Sequence, residues 1–526
     1  MLNRTRALAS VALIAVALGS GAAPARAETL QEAIALAYQT NPTLLAQRAN
    51  QRALDETVVQ ARAGLRPTVD VSASAGYTRT DSPSVTTTTP AATFPIDTDG
   101  DGVADATGTI PASTTRSGGV TETESGGASI GLSQNLYTGG RTSLAISAAE
   151  ANILGGRENL REIEQQVMAS VIQAYADVIR DVEVLRIRQE NLGVLRRQLE
   201  EASARFEVGE ITRTDVAQAE ARLAQSEADL ANAQAQLSTS RAAYAAVVGQ
   251  APGDLAPMPT LPGVPADFDV ALDRALENNP GVLSAGYSLR AAEARVAAAR
   301  AEYRPSARLS ASYGGSTNDL SNFDLADRTS FQATASVSVP LFTGGLNRSR
   351  VAQALEQANA AQIGVEGERR SVLQAVSSSY AQVVSARSTL QAGEQAVRAA
   401  SVAAEGVRQE AQVGLRTTLD VLNQELELRS AQVTLASARR NEYVAQAQLL
   451  AAMGTLDGPT LNPAVEAYDP AANYNRVRNR GGLPWDGVVE AIDRIAAPAV
   501  VPANDAADAP IDTQLKGEVI RTAPQG

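Results

Sequence analysis

The sequence predicts a mainly α-helical chain with a transmembrane β part, built as a tandem internal duplication. Three observations carry this. Matching segments recur at fixed offsets. Two stretches in each copy alternate apolar and polar residues over about ten positions, and helical patterns run far past the roughly 11–12 residues of an average helix.

The duplication is read from five pairs. QTNPTLLAQ (39–47) matches ENNPGVLSA (277–285), and AGLRPTVDVSASAGY (63–77) matches AEYRPSARLSASYGG (301–315), both 238 positions apart. NLYTGGR (135–141) matches PLFTGGL (340–346), VGEITRTDVAQA (208–219) matches VGLRTTLDVLNQ (413–424), and AAVVGQ (245–250) matches LAAMGT (450–455), all 205 apart. The 33-residue difference falls in a Ser/Thr/Gly/Pro-rich insertion, expected as a long polar loop over 78–127. The expected organisation is a signal peptide (1–27), a first repeat (28–250), a linker (251–267), a second repeat (268–456) and a C-terminal segment (457–526).

The start combines basic Arg4 and Arg6, an apolar run over 7–18 and the cleavage pattern Ala25-Arg26-Ala27, the marks of a secretory signal peptide. The run is shorter than the roughly 20 residues that a membrane anchor needs. Residues 30–63 then read as an Ala-rich helix ended by Arg66-Pro67. From 68 to 77, Val69, Val71, Ala73, Ala75 and Tyr77 alternate with Thr68, Asp70, Ser72 and Ser74. Ile130, Leu132 and Leu136 alternate in the same way after the insertion. The second copy repeats the pattern in Ala307, Leu309, Ala311 and Tyr313, then in Phe331, Ala333, Ala335, Val337 and Val339.

Such strands suit either a membrane barrel, with lipid on one side and water on the other, or a half-buried sheet of a soluble domain. Four strands cannot close a barrel, and open sheet edges do not exist in lipid. If the strands span a membrane, several chains pool them.

Residues 143–207 lack proline and carry apolar residues at three- and four-residue steps, a helix of about 95–100 Å. A second helix over 212–248 follows the VGEI turn, and its length plus that of the 30–63 helix matches the long one. Ile172 and Ile179 lie off the main stripe and suggest a second apolar edge, which suits a ring of helices; a trimeric coiled coil with a solid core is the alternative. The segment 457–526 reads as a belt near the waist of the rod and then disorder, with PWDGVVEAIDRIAAP its one expected ordered element.

Composition excludes much chemistry. With no Cys and no His, the chain has no disulfide, no thiolate or imidazole ligand, no Ser/His or Cys/His pair and no site for lipid attachment to cysteine. An enzyme is not expected. A net charge of −13, or −16 once Arg4, Arg6 and Arg26 leave with the signal peptide, argues against nucleic acid as a partner.

The doubled plan, the LYTGG and LFTGG strand-to-helix junctions and residues 413–456 resemble the TolC family of outer-membrane channel-tunnel proteins. The resemblance implies a homotrimer in the outer membrane of a Gram-negative bacterium, with a 12-stranded β-barrel in outer-membrane lipid continuous with a periplasmic barrel of 12 helices. It implies docking to a periplasmic adaptor (membrane fusion) protein and an inner-membrane ABC or RND transporter, and no cofactor. Type I protein secretion is the first reading of the function. RND-type multidrug efflux is the second, and a structural coiled-coil adhesin the third.

In the two repeated turns, Gly209 and Gly414 supply left-handed helix stops, and Thr212 and Thr417 can cap the next helices. Asp215 and Asp420, three residues on, fit capping aspartates. The resemblance adds a second role: Asp215 and Arg416 fall on the family's closing pair at the periplasmic gate, and Asp420 on an acidic ring. Asn423 stands where a second acidic ring residue often occurs, and Ala411 where an aromatic gate residue often occurs. Within the insertion, Asp97, Asp99, Asp101, Gly102 and Asp105 follow the order of a Ca²⁺ loop, but Gly108 replaces the bidentate Glu. A Ca²⁺ site and a solvated acidic turn both fit.

Overall fold

The computed structural model describes residues 27–502 apart from 323, 327 and 496. The expected signal peptide, but for Ala27, and the tail beyond 502 lie outside the described residues. The first half runs α1 (Leu30–Thr40), α2 (Pro42–Ala63), β1 (Thr68–Thr89), β2 (Ala92–Ile96), β3 (Ala106–Ile110), β4 (Ser113–Tyr137), α3 (Arg141–Glu207) and α4 (Arg213–Val248). The second runs α5 (Phe268–Asn278), α6 (Pro280–Ala301), β5 (Ser306–Thr317), β6 (Thr329–Ser338), α7 (Leu346–Gln412) and α8 (Thr418–Ala452). Three short helices follow: α9 (Gly458–Leu461), α10 (Pro470–Val477) and α11 (Asp486–Ile495).

The helix expected without a break over 30–63 is interrupted at Asn41-Pro42, and its counterpart at Asn279-Pro280. A residue before proline avoids the helical region, while proline suits the first helical position. Both asparagines are extended and cap the helix that follows. Asn41 Oδ1 accepts from the amides of Thr43 (3.0 Å) and Leu44 (3.3 Å), and Asn279 Oδ1 from Gly281 (2.8 Å) and Val282 (3.4 Å). Their Nδ2 groups donate to Val247 O (2.9 Å) and Ala452 O (3.0 Å), the orphan carbonyls at the ends of α4 and α8. One side chain thus starts α2 and ties it to the end of α4; the other does the same for α6 and α8.

α3 and α7 each hold 67 residues, about 100 Å of helix. α3 packs along α2 and α4 on one side and along α6 and α8 on the other. It has 25 buried residues against eight in α7, so the α7 side of the layer is largely uncovered. The main core lies at mid-height, where Met168, Val171, Ile172 and Tyr175 of α3 meet α1, α4, α8 and the segment after Leu456. The Tyr175 hydroxyl donates to Ala256 O at 2.6 Å, and burial, then the nearby Glu28 charge, push its pKa up to about 12.

The sheet order is β1-β4-β5-β6, antiparallel throughout. Registers align Val71, Ile130, Tyr313 and Phe331 in one rung across all four strands, each 46–75% exposed. The adjacent rung, Asp70, Gly131, Ser312 and Gln332, falls on the opposite face. One face therefore carries exposed apolar side chains, and β1 and β6 are open edges.

Two expectations are corrected. The stretch 78–127 is not a long loop: β1 and β4 extend to 22 and 25 residues, and β2 and β3 add a smaller hairpin around the acidic turn. Its threonines are β-branched and pair across strands, Thr87 with Thr115 and Thr88 with Thr114. Pro83, which has no amide to donate, sits in the register shift between Ser82 and Val85.

The segment after 457 is not largely disordered within the described residues; it forms α9, α10 and α11. Asp493 of α11 is fully buried at the β4–α3 junction, where its carboxylate accepts from Thr138 N (2.6 Å), Thr138 Oγ1 (2.9 Å), Gly140 N (3.3 Å) and Ser143 N (3.2 Å). A carboxylate from the far end of the chain so caps the first turn of α3.

Asp493→Ala should cost about 2 kcal/mol, the upper range for loss of a helix cap. It should release α11 and open Arg480 and Arg494 to trypsin in the intact protein. An unchanged digest would show that α11 is held by other contacts.

Candidate functional site

The two turns linking α3 to α4 and α7 to α8 are built alike. Gly209 (φ 82°) and Gly414 (φ 78°) take the left-handed conformation that glycine tolerates. Gly209 N donates to Phe206 O (2.9 Å) and Glu210 N to Arg205 O (2.9 Å); Gly414 N donates to Ala411 O (3.1 Å) and Leu415 N to Glu410 O (2.9 Å). These crossed bonds satisfy the last carbonyls of each long helix and reverse the chain.

The next helices start on Thr212 and Thr417. Asp215 Oδ2 accepts from Thr212 N (3.0 Å) and Thr212 Oγ1 (2.8 Å), and Asp420 Oδ2 from Thr417 N (3.0 Å) and Thr417 Oγ1 (2.8 Å). The Thr417 amide, then its hydroxyl, and more weakly Arg416 hold the Asp420 carboxyl below its ordinary value. Both aspartates are therefore capping residues in this chain.

Within the protomer the expected closing pair is not formed. Arg416 Nε donates to Glu410 Oε2 at 2.8 Å, across its own turn, while Asp215 is engaged by Thr212. The reversal at Gly414 brings positions 410 and 416 face to face, a proximity that linear spacing conceals. Asn423 Oδ1 accepts from Arg222 Nη2 at 3.3 Å and links α8 to α4.

A cluster not expected from the sequence lies just behind the tip. Glu425, whose side chain is 1% exposed, is hydrogen-bonded by Arg408 of α7. Arg429 Nη2 stands 3.8 Å from Glu425 Oε2, and Arg429 Nη1 stands 3.5 Å from Glu190 Oε2 of α3. One buried carboxylate thus joins α7 and α8 to α3 through Arg429. The sequence signal was there: Leu422, Glu425 and Leu428 are spaced by three and all buried, so Glu425 occupies an apolar-stripe position.

At the opposite end, the carboxylates of Asp97, Asp99 and Asp105 lie within 4.8 Å of one another, all exposed; Asp101 is not in the group. Asp97 accepts from Gly102 N (2.8 Å) and Gly100 N (2.7 Å), and these amides hold its pKa low. Asp101 Oδ1 instead accepts from Val103 N at 2.8 Å. These bonds shape the turn.

A family model described as outer membrane efflux protein matches residues 33–250 and 271–455. The chain is 32% identical over 464 residues to outer membrane efflux protein BepC of Brucella suis, covering 88% of this chain and 92% of that one. It is 27% identical to outer membrane protein TolC of Vibrio cholerae, covering 84% and 94%. Among solved structures, a membrane protein from Pseudomonas aeruginosa aligns with a TM-score of 0.67 at 19% identity over 84% of this chain and 92% of that one, a likeness of fold.

Glu425→Ala leaves Arg408 and Arg429 without their buried partner, a loss of about 3 kcal/mol at the low end for breaking such a pair. Amide exchange near the tips of α7 and α8 should quicken about 100-fold if it proceeds by local opening. Unchanged exchange would mean that the cluster does not hold the tip.

Proposed function

The chain belongs to the outer membrane efflux protein family, and from that premise we propose that three copies assemble into a passive exit duct through the outer membrane. It is an outer-membrane protein and not an enzyme. The open four-stranded sheet carries this reading. Its exposed apolar rung suits lipid, while the edges of β1 and β6 carry backbone groups that lipid leaves unpaired. Two copies would pool eight strands, an interior just wide enough for side chains; three pool twelve, which leaves a lumen. The uncovered side of α7 supports the same closure among the helices, as does the duplicated order of elements.

The tip turns are the gate in this reading. Arg416 and Asp215 act between copies or after a change of partner, because each has another partner within the protomer. Three Asp420 carboxylates around a narrow lumen favour cations in transit. A periplasmic adaptor and an inner-membrane transporter supply cargo and energy. With an ABC transporter the cargo is protein by type I secretion. RND-linked drug efflux is the second reading, favoured by the similarity to a protein named for efflux over 88% of this chain.

Detergent extracts should hold a species of three chains; a monodisperse monomer would refute the duct. In planar bilayers, Arg416→Ser should raise single-channel conductance, and Asp420→Ala should weaken cation preference without opening the pore. If neither changes, the constriction lies elsewhere. Deleting the gene separates the cargo readings. Secretion predicts loss of particular proteins from the medium with drug sensitivity unchanged; efflux predicts the reverse.

A further inference from the structure

We propose that α11 is an interfacial helix lying on the periplasmic leaflet of the outer membrane, with Trp485, Val488, Ile492 and Ile495 inserted at the boundary between lipid headgroups and acyl chains. The helix would hold this position whatever the number of chains in the channel.

Its attachments set its direction. Near its start, Asp486 Oδ2 accepts from Arg66 Nε at 2.8 Å, and Arg66 stands two residues before β1. Near its end, Asp493 accepts from the amide of Thr138, the residue that follows β4. β1 and β4 are neighbours whose feet pair at Thr68 and Ser133. The seven steps from Asp486 to Asp493 cover about 10 Å of helix, and two residues past the end of α11 Ala497 packs against Leu144, Ala297 and Ala301, at the start of α3 and the end of α6. The anchors step from the foot of β1 to the start of α3 and on to the end of α6, the helix that precedes β5, so the helix runs across the strands rather than along them. Strands that cross a bilayer place such a helix near its plane, at the level where sheet gives way to tunnel.

Its faces match that position. At about 100° per residue, Trp485, Val488, Ile492 and Ile495 fall on one stripe, and each is 48–84% exposed. Val489 and Asp493 are buried beside the stripe, towards the strand feet. Glu490 and Arg494 pair at 2.8 Å on the side opposite the stripe. An apolar stripe opposed by a charged face, with tryptophan at its margin, is the pattern of a helix at a membrane surface. Val69, Leu132 and Leu136, low on the strands to whose feet α11 is tied, are exposed apolar side chains as well. A helix serving only as a periplasmic belt would turn those four residues inward.

Trp485 is the only tryptophan in the chain, so its fluorescence reports on α11 alone. The full-length protein is reconstituted into phosphatidylcholine vesicles whose lipid is brominated either high on the acyl chain or near its end, and acrylamide is added to the water. Blue-shifted emission should be lost most strongly with bromine placed high on the chain, less with deep bromine, and little with acrylamide. Replacing Ile492→Asp together with Ile495→Asp should reduce quenching by brominated lipid and restore quenching by acrylamide. Quenching of the unaltered protein by acrylamide alone would put the stripe in water. Quenching by neither agent would put it under another copy of the chain. Either result overturns the proposal.

Discussion

Backbone amides and carbonyls in hydrocarbon must be paired within protein, and a sheet of four strands with open edges does not meet that demand. The exposed rung through Val71, Ile130, Tyr313 and Phe331 has its natural solvent in lipid, yet the edges of β1 and β6 do not. In the proposed assembly closure among copies resolves the conflict, and the helices carry the same demand downward. α3 is covered on both sides, whereas α7, of equal length, is not. The protomer is one sector of a cylinder in the proposed assembly.

The two halves share devices but differ in surroundings. Asn41 and Asn279 each cap one helix and close the end of another, so two short helices run beside each long one. The junctions at Gly140 and Gly345 both start a 67-residue helix on a left-handed glycine. Only the first is seen to receive a carboxylate from α11. At the second, Leu341 and Phe342 are at least 90% exposed, an apolar surface that suits lipid or a neighbouring copy.

Much of this was legible in the residues. Period-two alternation identified the faces of all four strands, and the repeated glycine and Thr-x-x-Asp patterns located both tip turns with their caps, because those signals are local. Contacts created by the fold were less legible. Composition suggested a loop where Ser and Thr abound, yet the β-branched threonines of that stretch extend β1 and β4. The Asn-Pro break is written twice, but the apolar period continues through it and masks it. Arg416 meets Glu410 only after the chain reverses, and Asp493 meets Thr138 across some 350 residues of sequence.

The repeat offsets read in the sequence give the proposed assembly a register between copies. Within the chain, β4 meets β5 with Gly131 opposite Ser312 and Ser133 opposite Ser310. Carried through the repeat offsets of 205 and 238, the same pairing sets Ser336 of β6 opposite Ser74 of β1 in the next copy, and Ser338 opposite Ser72. Because the chain has no cysteine, Ser74→Cys combined with Ser336→Cys introduces the sole thiols. Treated in native membranes with a short thiol cross-linker, this double variant should give a covalent ladder ending at three chains, while each single variant stays unlinked. Absence of any inter-chain product from the folded double variant, or a ladder running past three chains, would contradict closure of the sheet by three copies.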